Sequence, residues 1–209
     1  MRPVNFSPYR ARPSCDVHRV HDPAAIGLTP GQAPPVSTSN SGSDIKAVTP
    51  VAEEEGIRIG IHPDDPPVPE LGGVPRCIFS SFDGYKRALE IANSPNVGMC
   101  LCVGCWLEGG KLMGRDVLET IQYFGRQGKL FKVHFRNVNA PLPHFVETFV
   151  DNGYMDMYGV MKALREVNFD GAVIADHVPG MAGGSRAATA YSIGYMKALL
   201  ERANAEVRG

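Results

Sequence analysis

The sequence predicts a parallel α/β fold made of four consecutive strand-then-helix units, which is half of an eight-unit barrel. Two observations lead to this prediction. From residue 44 onward, short apolar runs of strand length alternate with longer segments of helical periodicity. In addition, each apolar run ends next to a side chain that can bind a metal, as expected where parallel strands deliver functional groups to one edge.

The individual elements follow from the spacing of apolar residues. Four runs predict strands at 57–61, 97–103, 130–135 and 171–176. Helical spacing predicts helices at 44–55, 83–93, 115–127, 156–167 and 186–205. The first of these helices contains Pro50 and ends at Gly56. Because helices alternate with the strands, the strands are expected to run parallel in one sheet.

The first 43 residues have a different composition from the rest of the chain. They hold seven of the 17 prolines and the polar tract 37–43, and they show neither helical nor strand periodicity. We therefore predict a disordered or poorly defined segment over 1–43 and a single domain over 44–209. With 209 residues, the chain is shorter than the roughly 250 that a complete eight-unit barrel usually takes.

The composition excludes several classes of partner. Because 21 basic residues face 22 acidic ones, the sequence favours neither nucleic acid nor an anionic membrane surface as a partner. No apolar run is long enough to span a bilayer, and the N-terminus has no apolar signal core, so we predict a cytoplasmic protein. The five cysteines are an odd number, with three of them between residues 100 and 105. This pattern indicates thiol chemistry or metal binding rather than a disulfide framework.

Four side chains at the strand ends form the candidate metal site. They are His62, Cys102, His134 and Asp176. Two imidazoles, a thiolate and a carboxylate are a suitable ligand set for a divalent transition metal. Each also has an ordinary interpretation, as a hydrogen-bonded core histidine, a small buried thiol or a turn aspartate. Because all four strands carry such a group, we favour the metal interpretation, with Cys105 as the alternative thiolate.

Four neighbouring side chains have candidate roles in binding or catalysis. Asp64 and Asp65, in a proline-rich loop, are expected to accept substrate hydroxyls or orient a ligand imidazole, unless they serve only the turn. Arg136 is a candidate for binding a substrate carboxylate, with an ion pair to a nearby aspartate as the alternative. His177 is a candidate general acid or base, with simple packing as its alternative.

Four motifs together resemble the mannonate dehydratase family. They are HPDDPP at 62–67, CVG at 102–104, HFRNV at 134–138 and Asp-His at 176–177, and the similarity runs from about residue 45 to the C-terminus. The resemblance implies a TIM barrel, of which this chain has about four C-terminal units. It also implies a divalent metal, typically Mn²⁺, and the elimination of water from D-mannonate to give 2-dehydro-3-deoxy-D-gluconate in hexuronate (glucuronate) breakdown.

The resemblance also assigns roles by motif. His62, Cys102, His134 and Asp176 would be the metal ligands, and His177 a catalytic acid or base. The family also uses a tyrosine after the Asp-His motif, for which Tyr191 is the nearest candidate. Mn²⁺ is implied by the resemblance alone, because a thiolate ligand by its softness suits Zn²⁺ or Fe²⁺ better.

A half-barrel leaves open how the chain works. It could form a homo-oligomer that completes a barrel, require a separate N-terminal fragment, or be a truncated product that keeps the ligands without activity. Two other functions also remain open. One is a sugar isomerase or epimerase, whose sites are usually richer in carboxylates, and the other is an inactive metal-binding remnant. The expected small-molecule partner is a sugar acid.

Overall fold

A computed structural model describes residues 39–76 and 78–207 of the chain. Most of the segment predicted to be disordered, residues 1–38, therefore lies outside the described residues. The predicted domain boundary near residue 44 stays a prediction. The first helix nevertheless begins at Ser39, before that boundary.

The centre of the fold is a four-stranded parallel sheet. Its strands are β1 (Ile59–Ile61), β2 (Val97–Cys102), β3 (Leu130–Phe135) and β4 (Ala172–Ala175). They lie side by side in chain order, and every neighbouring pair is parallel. This arrangement confirms the predicted α/β fold with four strand-then-helix units.

The described residues form six α-helices, the first of which precedes the first strand. They are α1 (Ser39–Glu54), α2 (Phe82–Ala92), α3 (Val103–Gly109), α4 (Val117–Arg126), α5 (Met157–Glu166) and α6 (Gly184–Val207). Five of them were predicted to within a few residues, apart from the earlier start of α1. The periodicity missed α3, a short helix whose residues are all buried and which therefore has no polar face.

Local chemistry explains where the predicted helices begin. Asp116 caps α4 in a capping box with Glu119: each side chain accepts a hydrogen bond from the other residue's backbone N–H. Ser81 caps α2 through its hydroxyl, which accepts from the Gly84 N–H at 3.2 Å. Helix α1 contains Pro50, whose backbone nitrogen has no hydrogen to donate to the preceding turn. In the same helix, the hydroxyl of the neighbouring Thr49 donates to the Ile45 carbonyl at 2.6 Å.

The hydrophobic core lies between the sheet and helices α2 to α6. All six residues of β2 are buried, and Met99 and Leu101 of this strand belong to the core. Large side chains fill the layer between sheet and helices, and Tyr85, Trp106, Phe124 and Phe135 are almost completely buried. This packing holds the carboxyl ends of the strands in fixed positions relative to one another.

Two short hairpins complete the described structure. One pairs Glu70–Leu71 with Val74–Pro75 after β1, and the other pairs Asn137–Val138 with Glu147–Thr148 after β3. Both lie in the loops that follow strand carboxyl ends. The second hairpin carries residues into the candidate site.

The sheet has two open sides within the described residues, because β1 and β4 each have only one neighbouring strand. Exposed apolar side chains lie near both sides. Val48 and Val51 are exposed on α1, whereas Ile193 and Leu200 are exposed on α6. A groove of about 590 Å³ runs between β4, α5 and α6. Among the described residues, no helix is both long and apolar enough to cross a membrane.

Candidate metal centre

The parallel sheet brings the four predicted ligands to one edge. His62 directly follows β1, Cys102 ends β2, His134 is the second-last residue of β3, and Asp176 directly follows β4. Cys102 and His134 are register partners on adjacent strands, so their side chains project from the same face. The predicted convergence is therefore present in the structure.

The ligand atoms lie close together in two overlapping groups. Atoms of Cys102, His134 and Asp176 all lie within 4.8 Å of one another, and so do those of His62, Cys102 and Cys105. The Cys102 Sγ is 3.9 Å from Asp176 Oδ2, and His134 Nδ1 is 3.6 Å from the same oxygen. Atoms that each bind one metal ion at about 2.0–2.3 Å are expected to lie about as far from one another as these side-chain atoms do.

Electrostatics select Cys102 rather than Cys105 as the thiolate. The pKa of Cys102 lies well below its ordinary value, because its thiolate interacts favourably with the Cys105 side chain and then with His134, His62 and Arg136. The Cys105 backbone N–H also donates to Cys102 Sγ at 3.5 Å. The pKa of Cys105 is raised, because it donates to this thiolate and is buried. The two pKa directions therefore favour Cys102 over Cys105 as the candidate thiolate ligand.

The ring of His62 is oriented like that of a metal-binding histidine. Its Nδ1 donates to the Pro63 carbonyl at 2.7 Å, which leaves Nε2 as the nitrogen with the free electron pair. The pKa of His62 is raised, chiefly through its interaction with Cys102. The His62 and His134 rings lie next to each other, with their centroids 4.8 Å apart.

A divalent metal fits this set of residues. Both ring nitrogens of His134 are buried and form no hydrogen bond within the described structure, although polar groups surround them. Buried ring nitrogens without a hydrogen bond are costly unless something else satisfies them. A nitrogen, sulfur and oxygen donor set at this spacing would bind Zn²⁺, Fe²⁺ or Mn²⁺.

Arg136 lies at the centre of the charged groups and is 1% exposed. Its Nη2 donates to Asp65 Oδ2 at 3.0 Å, and its Nη1 donates to Glu147 Oε1 at 2.5 Å. Nη2 is also 2.8 Å from Glu108 Oε1, and Nε is 3.7 Å from Asp176 Oδ2. In the structure, Arg136 therefore forms ion pairs with protein carboxylates, which include an aspartate as the alternative interpretation expected. Direct contact between its guanidinium and a substrate carboxylate stays a prediction, which would require an exchange of partners.

Gly104 explains why Arg136 can lie so deep in the protein. A Cβ atom at this position would overlap the guanidinium and the Nε atom of Arg136. The absence of a side chain also lets Nη2 reach the sulfur of Cys105 at 3.3 Å and that of Cys102 at 3.6 Å. The CVG motif therefore combines the candidate ligand Cys102 at its first position with space for the arginine at its third.

The two aspartates of the HPDDPP loop are held by different arginines. Asp65 binds Arg136, as described above, whereas Asp64 Oδ1 lies 3.5 Å from Arg76. Burial raises the pKa of Asp64, although Arg76 and His62 oppose the rise. Both aspartates lie beside the ligand cluster, and their predicted contacts with substrate hydroxyls stay predictions.

Two glutamates belong to the site although the sequence did not single them out. Glu108 is completely buried in α3, and burial raises its pKa to about 9, with Arg136 opposing the rise. Glu147 comes from the hairpin after β3, where it contacts Arg136 and His177. A short buried helix and a two-residue strand carry no periodic signal, so the sequence alone offered little basis for finding either residue.

The two predicted catalytic residues lie in different surroundings. His177 follows Asp176, and its side chain is 49% exposed at the site. Tyr191 lies on α6, where its hydroxyl donates to Asp151 Oδ2 at 2.5 Å and its ring packs edge-on against Phe149. Both residues are accessible from solvent. Their catalytic roles stay predictions.

Comparison with solved structures defines the class of fold. A xylose isomerase domain protein from Alicyclobacillus acidocaldarius superposes with a TM-score of 0.62 at 17% identity, over 83% of this chain and 62% of that one. At this identity the likeness concerns the fold alone. Together with the four parallel units, it places the chain in the TIM-barrel class with xylose-isomerase-like topology.

The sequence comparison then defines the family. The model of the D-mannonate dehydratase (UxuA) family matches residues 42–205, and the chain belongs to this family. It is 37% identical over 135 residues to mannonate dehydratase of Streptococcus pneumoniae. The crystal structure of mannonate dehydratase from Streptococcus suis superposes with a TM-score of 0.74 at 30% identity.

The chain is short relative to these proteins. The aligned part spans 64% of this chain but 36% of the S. pneumoniae enzyme. The structural superposition spans 81% of this chain and 50% of the S. suis structure. The four described units therefore correspond to about half of that S. suis structure.

Proposed function

We propose that the protein catalyses metal-dependent dehydration of D-mannonate to 2-dehydro-3-deoxy-D-gluconate, a step of hexuronate catabolism. The observation that carries this proposal is that His62, Cys102, His134 and Asp176 lie at one sheet edge, in two groups of ligand atoms that share Cys102. Membership of the D-mannonate dehydratase family supports the choice of substrate. The buried free thiols of Cys100, Cys102 and Cys105 accord with a reducing, cytoplasmic location.

In this proposal, the four strand-end side chains hold one divalent metal. When bound, the metal would stabilise negative charge that develops on the substrate carboxylate as the neighbouring C–H bond breaks. Mn²⁺ is our first choice because of the family resemblance. The thiolate of Cys102 keeps Fe²⁺ and Zn²⁺ as alternatives, since both are softer metals.

The elimination needs one group that accepts a proton and another that donates one. The C2–H bond breaks, the C3–OH bond breaks with protonation of the leaving hydroxyl, and the resulting enol becomes the 2-keto acid. We assign protonation of the leaving group to His177, whose ring is accessible beside Asp176. Tyr191 is the proposed second catalytic group, and Asp64 and Asp65 are proposed to contact substrate hydroxyls.

The test is a product assay on the full chain reloaded separately with Mn²⁺, Fe²⁺ and Zn²⁺. We expect a 2-keto-3-deoxy acid from D-mannonate and a loss of kcat on the order of 10²- to 10⁴-fold in His177→Gln. His144→Gln is the matched control, because His144 is exposed in the loop between the two hairpin strands 137–138 and 147–148 and belongs to neither group of ligand atoms. A folded, metal-loaded chain that forms no keto acid would refute the proposal. An isomerised sugar as product would instead favour the isomerase or epimerase alternative.

We also propose that a second copy of the chain covers the open sides of the sheet. Two copies would supply eight parallel strands, with β4 of each copy beside β1 of the other. The charges at the two sides are complementary. Glu53, Glu54 and Glu55 are exposed at the end of α1, whereas Arg165 and Lys197 line the groove beside α6.

This oligomeric state can be measured by light scattering after size exclusion. We expect a particle of twice the 22.6 kDa chain mass. Ile193→Asp, in the exposed groove, is expected to weaken the dimer at least about tenfold, because it buries a charge in an apolar contact. Glu201→Gln on α6 is the control. A well-folded monomer at high concentration would contradict the pairing and indicate that another segment or partner covers the open sides.

A further inference from the structure

We infer that Glu147 is a positioning residue that fixes the ring orientation and tautomer of His177, an inference that rests on the proposed function of His177. Its Oε1 lies 2.6 Å from His177 Nδ1 and accepts from Arg136 Nη1 at 2.5 Å. Glu147 is thus tied to a buried cation on one side and to the exposed histidine on the other.

The backbone fixes Glu147 at this place. It is the register partner of Val138 in the hairpin that directly follows Arg136. Val138 and Arg136 are both buried, so the hairpin is anchored against the core. The carboxylate therefore reaches the site from a supported strand rather than from a free loop.

Two groups compete for Nδ1 of His177, an acceptor, Glu147 Oε1, and a donor, Arg136 Nη1. An unprotonated Nδ1 would accept from Arg136 but would face the carboxylate oxygen at 2.6 Å, whereas a protonated Nδ1 would donate to the carboxylate but would face the arginine N–H. Arg136 Nη1 donates to Glu147 Oε1 in either case, so a proton on Nδ1 adds a second hydrogen bond to the carboxylate. With a proton on Nδ1, the carboxylate accepts from both the histidine and the arginine. We therefore assign the proton to Nδ1.

This tautomer leaves Nε2 as the nitrogen available for proton transfer. Nε2 lies 3.7 Å from Asp176 Oδ1, on the side of the proposed ligands. The backbone of His177 has a φ of 45°, in the left-handed region that residues with a side chain adopt infrequently. Such a conformation persists when the surroundings hold it, and the contacts with Glu147 and Arg136 provide that support.

The tautomer can be measured directly on the full, metal-free chain. We propose ¹⁵N NMR of histidine-labelled protein at pH about 9, where an ordinary imidazole is neutral, with His177 assigned by comparison with His177→Gln. The expected result is a protonated Nδ1 and an unprotonated Nε2 for His177. A protonated Nε2 in the unmodified protein would overturn the inference, whatever the enzyme activity.

Variants of Glu147 add a second readout. Glu147→Leu removes the acceptor, and we expect a mixture of tautomers and a kcat lower by about 10²-fold, with KM within about threefold. Glu147→Gln keeps an acceptor oxygen and is expected to restore most of both properties. Glu201→Gln is the control for loss of one carboxylate. Unchanged tautomer and kcat in a folded Glu147→Leu would contradict the inference.

The two readouts separate the inference from the proposed function. If the unmodified, metal-loaded chain does not dehydrate D-mannonate, the proposed function fails. The NMR measurement still decides whether Glu147 sets the tautomer of His177. If the chain is active and Nδ1 is unprotonated, the proposed function stands and the inference fails.

Discussion

Arg136→Met is expected to lower the free energy of unfolding by about 3–5 kcal/mol, the typical effect of removing one partner of a buried ion pair. The guanidinium has no exposed surface and contacts Asp65, Glu147 and Glu108. Without it, carboxylates near the Cys102 thiolate would repel one another in a region of low solvent access. Methionine fills a similar volume, so the lost charge rather than a cavity dominates the effect.

Denaturant unfolding monitored by circular dichroism measures this loss. Arg87→Met is the matched control, because Arg87 lies on the surface 3.8 Å from Glu90 and its side chain is 63% exposed. We expect the control to lose no more than about 1 kcal/mol. If Arg136→Met lost no more stability than the control Arg87→Met, the buried arginine would not stabilise the site.

A double variant separates the contribution of Glu108. Burial favours the protonated form of this carboxyl group, so glutamine should replace it with little loss of stability. Because Arg136 opposes the rise in the pKa of Glu108, we expect Glu108→Gln to cost less stability in the Arg136→Met background than in the unmodified chain. Two additive losses would show that Glu108 and Arg136 do not interact energetically.

Cys102→Ser is expected to weaken binding of Zn²⁺ by at least about 100-fold, because changes of groups that only support metal ligands already cost 10- to 100-fold. The physical reason is the loss of a thiolate whose pKa is held low by its surroundings. A serine hydroxyl at the same position stays protonated near neutral pH and is a poor ligand. Competition with a chromophoric chelator measures the affinity.

Cys100→Ser is the matched control for this prediction. Cys100 lies two residues earlier in the same strand, and burial raises the pKa of its thiol to about 11. Its thiol is thus protonated near neutral pH and is not expected to bind the metal. If both variants bound Zn²⁺ as tightly as the unmodified chain, the proposed role of Cys102 would be wrong.

The sequence predicted the strand ends well because their signal is local. An apolar run predicts a strand. The side chain that directly follows the run, such as His62 or Asp176, therefore lies at the carboxyl end of that strand. Because helices connect consecutive strands, the strands run parallel and their carboxyl ends lie at the same edge of the sheet. The proposed ligands therefore lie at one sheet edge, where their atoms form two groups that share Cys102.

The sequence could not predict the contacts that depend on packing between distant segments. Whether Arg136 points to a substrate or to protein carboxylates depends on Glu108, Asp65 and Glu147, which come from three separate loops or helices. Glu147 lies in a two-residue strand that has no pattern of its own. The room for the guanidinium at Gly104 likewise becomes visible only in three dimensions.

We propose that side chains at the ends of four different strands bind one metal ion. X-ray absorption spectroscopy of the Zn²⁺-loaded full chain tests this proposal, because it counts the ligand types around the metal. We expect one sulfur at about 2.3 Å and nitrogen or oxygen ligands at about 2.0–2.2 Å. A shell with two or more sulfurs, or with none, would contradict the assignment of Cys102, His62, His134 and Asp176.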